Sequence, residues 1–143
     1  MKEIKIKLFK PRHNKDTMEL IEIKKRLEHI KKEKRVIAVL LFGSYARNEY
    51  YRDIDICLVL DKKYSDREMT NLLIKNTAEL PNIFDVKIFQ MLPLYIMMRI
   101  LKESKIIFCN NEDVLYNKAF ETIKEFNLFE RGYNNYLESI YER

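Results

Sequence analysis

Glycine is nearly absent from this chain: of 143 residues only Gly43 and Gly132 lack a side chain. Few places are therefore left where the backbone can turn left-handed or where a ligand can reach the main chain. Cysteine is equally scarce. Cys57 and Cys109 cannot form a disulfide framework, and both fall inside predicted strands, so they are expected as buried thiols in a reducing compartment. Two widely separated histidines, His13 and His29, exclude a zinc site of the usual kind. No apolar run approaches the ~20 residues that span a bilayer, so no membrane association is expected. The first fifteen residues carry neither an apolar core nor a small-residue cleavage site. No signal peptide is expected, and the expected location is cytoplasmic.

What is present fits one globular domain over residues 1–143, with a core at about 17–110 and a C-terminal helix at about 112–142. Hydrophobic residues make up 47% and charged residues 34% of the chain, which argues against disorder. The net charge is +5, spread along the chain among abundant Glu and Lys. That balance suits a triphosphate or an acidic partner, and nucleic acid is not the expected ligand.

The organising stretch is Val36–Leu60. Val36–Phe42 is an apolar run that reads as a buried strand, and it stops at Gly43-Ser44. Ile54–Leu60 reads as a second strand with Asp53 and Asp55 at its start. A glycine followed by a serine that opens a helical turn offers a hydroxyl and free N–H groups to phosphate. Residues two apart on a strand share a face, so the two carboxylates converge on one cation site. Asp55 interrupts an otherwise apolar strand, and a buried carboxylate needs a partner. A metal–nucleotide site follows from this pairing. Arg47 has a forked donor set that reaches phosphate or pairs with Glu49. Tyr45, Tyr50 and Tyr51 surround the mouth, as packing or as a stacking surface.

Elsewhere the alternation of residues 2–9 predicts a strand, ended by Pro11. Asp16 is the expected cap of a helix from about Thr17 to Lys34, with Leu20, Ile23, Leu27 and Ile30 on its apolar stripe. A helix from Ser65 or Asp66 to about Glu79 turns Met69, Leu72, Leu73 and Ile74 inward. Ile83–Gln90 is the third core strand, carrying Asp85. Leu92–Leu101 is an apolar helix with Met91, Met97 and Met98 as core filler. Lys105–Cys109 is a short last strand. The final helix begins near Glu112, and Gly132 is a point where it can bend. Its tyrosine-rich end is expected to pack on the domain, the alternative being an exposed partner surface.

The segments LFGSYARNE and DIDICLV, followed by Asp85 in IFDVKIF, resemble the DNA polymerase β-type nucleotidyltransferases, in particular their minimal nucleotidyltransferase group. The likeness covers about residues 20–110. It departs at Asn48, where the family usually has glycine, and at Arg52, which replaces a serine. The spacer Tyr45–Arg52 is eight residues, shorter than is common in the protein-modifying members.

The resemblance implies an α/β fold, a small mixed β-sheet flanked by helices. It implies Asp53, Asp55 and Asp85 as a catalytic, metal-ligating triad and Gly43, Ser44 and Arg47 as the nucleotide-binding set. Magnesium, as two ions, and ATP are the implied cofactor and substrate. The implied reaction moves AMP from ATP to an acceptor hydroxyl, with a tyrosine of a helical toxin as the implied acceptor and the chain as its antitoxin, alone or in an oligomer. The alternatives are a weak or inactive antitoxin that acts by binding, a small-molecule nucleotidyltransferase, and a basic RNA-binding module.

Overall fold

The computed structural model describes residues 18–141. The predicted strand over residues 2–9, its stop at Pro11 and the cap at Asp16 lie outside the described residues. In chain order the elements are helix α1 (Leu20–Arg26), a 3-10 segment (Glu28–Lys32), strand β1 (Val36–Phe42), a single helical turn α2 (Gly43–Ala46) and strand β2 (Ile54–Leu60). Then come α3 (Asp66–Thr77), β3 (Phe84–Ile88), a second 3-10 turn (Phe89–Met91), α4 (Leu94–Glu103), β4 (Lys105–Cys109) and α5 (Glu112–Tyr141).

The sheet has the order β3-β2-β1-β4. β1 runs antiparallel to both of its neighbours, and β2 and β3 are parallel. This is the mixed sheet that the α/β expectation described. Both faces of β1 and β2 are buried, which explains why these strands read as continuous apolar runs. On one face Ile54, Ile56, Leu58 and Leu60 of β2 pack with Ile23, Leu27 and Ile30, and with Met69 and Leu72 of α3. On the other, Cys57 and Val59 pack with Ile100 of α4 and Leu115 of α5. The parity of β2 therefore puts Asp55 on the α4–α5 side of the sheet.

Local chemistry accounts for the element ends. The Ser65 hydroxyl accepts from the Glu68 N–H while the Glu68 carboxylate accepts from the Ser65 N–H, a complete capping box that starts α3. The Gln90 side chain both donates to the Leu60 carbonyl and accepts from its N–H, pairing the last residue of β2 where β3 has already ended.

Four expectations change. The first helix is broken at Leu27 into α1 and the 3-10 segment, yet Ile23, Leu27 and Ile30 still reach the core. Ile74 points outward, 61% exposed, because an inward stripe of Met69, Leu72 and Asn76 follows the helical repeat and leaves position 74 off it. Met91 is exposed and is not core filler. The tyrosine-rich end of α5 does not pack on the domain: Phe129, Tyr133, Tyr136 and Ile140 are all exposed. The helix passes through Gly132 without interruption, and only its first turns, at Leu115 and Thr122, are buried.

Candidate active site

The site begins where β1 stops. Gly43 has φ +75°, in the left-handed region that side chains disfavour. A Cβ at this position would collide with the carboxylate of Asp55, whose Cγ would lie 2.8 Å away. The turn after β1 thus closes against Asp55 because position 43 has no side chain. Asp55 stands opposite Phe42 on β1 and opposite Asp85 on β3. Register partners on parallel strands point to the same face, so Asp85 shares the side of Asp55 while Phe84 and Ile88 turn into the opposite core.

α2 is a single turn, and its end is built around Asn48. The Glu49 N–H donates to the Ser44 carbonyl at 3.0 Å and the Asn48 N–H to the Tyr45 carbonyl at 3.1 Å, the double closure of a Schellman motif. That motif needs a left-handed residue at Asn48, which has φ +61°. Asparagine is the side-chain-bearing residue best suited to this region, so it serves where the family usually has glycine.

The three tyrosines separate into two roles. Tyr45 is fully buried and donates to the Met18 carbonyl at 2.7 Å, while the Tyr51 hydroxyl accepts from the Met18 N–H at 3.3 Å. Their rings meet edge to face at 4.8 Å, and burial pushes the Tyr45 phenol up to about 12. Tyr50 is 74% exposed instead. It lines an open cavity of about 400 Å³ together with Ser44, Arg52, Asp53 and Asp55.

Of the residues expected from the sequence, Ser44, Asp53 and Asp55 meet at this cavity, and Gly43 lies behind it against Asp55. Asp85 is beside Asp55 in register and also faces Lys87, 4.0 Å away. Arg47 is directed elsewhere: its Nε pairs with Glu49 and its Nη1 with Glu103 on α4, each at 3.0 Å. Tyr50, one of the three tyrosines expected around the mouth, lines the cavity, and so does Arg52, which was not singled out as a binding residue. The only sequence signal of Arg52 is its position, immediately before Asp53.

The electrostatics are those of an anionic pocket. Burial, then the negative charges of Asp85 and Asp53, hold the Asp55 carboxyl above its ordinary value, opposed by Lys87 and Arg47. Among the described residues no three His, Cys, Asp or Glu side chains gather closely enough to enclose an ion. Two carboxylates on one open wall remain a fitting donor set for a cation that completes its shell with phosphate oxygens and water.

Comparison with known proteins adds a curated relative from Methanocaldococcus jannaschii, named as a "putative protein adenylyltransferase", which is 47% identical over 77 residues. The match covers 52% of this chain and 57% of the relative, so the chain spans little more than half of that protein's length. A chain from a toxin–antitoxin crystal structure with AMP-PNP shares the fold with a TM-score of 0.62 at 16% identity, covering 82% of this chain and 97% of that one. A chain from the complex of a tri-AMPylated Shewanella oneidensis HEPN toxin with its MNT antitoxin gives a TM-score of 0.62 at 14% identity, over 85% of this chain and 98% of that one. Identities this low establish likeness of fold. The family model described as polymerase beta nucleotidyltransferase matches residues 12–113, and the chain belongs to that family.

Proposed function

We propose that this chain is a magnesium-dependent nucleotidyltransferase that moves AMP from ATP to a tyrosine hydroxyl of a helical partner toxin, for which it serves as antitoxin. The observation that carries this reading is the convergence of Ser44, Asp53 and Asp55 on one cavity, with Asp85 in register beside Asp55. The name of the Methanocaldococcus jannaschii relative supports protein as the acceptor class, and the AMPylated toxin in the Shewanella oneidensis complex supports the pairing.

In this reading Asp53 and Asp55, with Asp85, hold magnesium, which when bound neutralises charge building on the phosphates. The Ser44 hydroxyl and the N–H groups at the start of α2 hold the phosphate tail. Arg47 adds positive charge behind Asp55, acting from its place between Glu49 and Glu103. The acceptor oxygen attacks the α-phosphorus, the bond to the bridging oxygen breaks, and pyrophosphate leaves. Asp85 takes the proton released by the acceptor hydroxyl. The exposed apolar face of α5, including Phe129 and Tyr133, supplies a surface for the partner.

The test is mass spectrometry of a partner toxin co-expressed with this chain. An added AMP on a tyrosine, absent with Asp53→Asn, supports the reading. Neutralisation of the toxin by Asp53→Asn without any added mass would replace it with an antitoxin that acts by binding.

A further inference from the structure

The two arginines near the cavity differ in what already holds them. Arg47 is engaged by two carboxylates at 3.0 Å each and ties α2 to the end of α4. Arg52 lies on the cavity wall with Ser44 and, among the described residues, has neither an ion pair nor a hydrogen bond. Its planar fork of donors is thus available to a ligand in the cavity, and such a fork suits a phosphate better than a point charge does. Asp53 and Asp55 line the same cavity, so a phosphate bound there with its cation meets both the carboxylates and a guanidinium.

We infer that Arg52 is a substrate-binding residue that grips the β- and γ-phosphates of the nucleoside triphosphate, in the cavity that it shares with the carboxylates. This inference rests on the nucleotidyltransferase reading above. It gives the residue that replaces the family's serine a task of its own: Arg52 selects a triphosphate over a monophosphate, from a short loop whose far end is locked by Asn48.

The experiment measures dissociation constants for ATP and for AMP, with magnesium, by calorimetry on the full chain. The variants are Arg52→Ala, Arg52→Lys and, as a charge control at the other end of β2, Lys63→Ala. Arg52→Ala is expected to weaken ATP binding by roughly tenfold to a hundredfold and AMP binding by less than about threefold. Arg52→Lys, which keeps charge but loses the fork, falls between wild type and Arg52→Ala. Lys63→Ala leaves both constants near wild type. Thermal melting checks that each variant is folded. If wild type binds ATP and Arg52→Ala binds it equally well, or loses ATP and AMP alike, the assignment of Arg52 is overturned and the nucleotidyltransferase reading stands. If wild type binds no ATP, both are overturned.

Discussion

Gly43 and Asp55 occupy one space: the backbone of the first closes over the carboxylate of the second where a Cβ would collide with it. The positive φ of Gly43 adds a second reason against any side chain there. Gly43→Ala is therefore expected to displace Asp55 and to cost about 1–3 kcal/mol of stability. Transferase activity should fall by roughly a hundredfold or more, since a displacement of about 1 Å at reacting groups has that effect. Denaturant unfolding and label transfer check the two parts. An active, stable Gly43→Ala would show that the turn is free to move away from Asp55.

Asn48 carries a backbone role. The Schellman closure on Ser44 and Tyr45 needs its left-handed conformation. Asn48→Gly is expected to hold stability to within a few tenths of a kcal/mol, whereas Asn48→Ala should lose about 1 kcal/mol. Urea midpoints of the two variants decide the matter, and equal midpoints would contradict it.

Asp55 makes stability depend on pH. Its folded carboxyl titrates above the ordinary value because of burial and the charges of Asp85 and Asp53. Between the unfolded and folded values the folded state binds more protons, so stability falls as pH rises through that window. Below the unfolded value the penalty is absent, and above the folded one it is complete. Without divalent cations, Asp55→Asn should be more stable than wild type at neutral pH and should lose this contribution to the pH dependence. Magnesium should stabilise wild type and have little effect on the variant. Thermal melts across pH, with and without magnesium, test this; a destabilised Asp55→Asn at neutral pH would contradict it.

Much of the core was legible in the sequence. β1 and β2 occupy Val36–Phe42 and Ile54–Leu60 as expected, because strands buried on both faces announce themselves as apolar runs. β4 and the start of α5 also lie at the expected Lys105–Cys109 and Glu112. The direction of Asp85 was hidden, since its apolar neighbours fit either face; only the parallel register with Asp55 settles it. The fate of Arg47 was open for a similar reason. Glu49 is close in sequence, but Glu103 is brought to it by α4, which no local pattern reveals. The end of α5 misled because an amphipathic stripe is the same whether it meets its own domain or nothing.

Label transfer from ATP carrying the label on its α-phosphate, with magnesium, tests the central claim most directly. Wild type is compared with the Asp53→Asn, Asp55→Asn double variant in the presence of the partner toxin. Label should appear covalently on the toxin with wild type and be absent with the variant. Label that persists at the wild-type level in the double variant, or no label from a wild-type protein that still captures the toxin, would contradict the account.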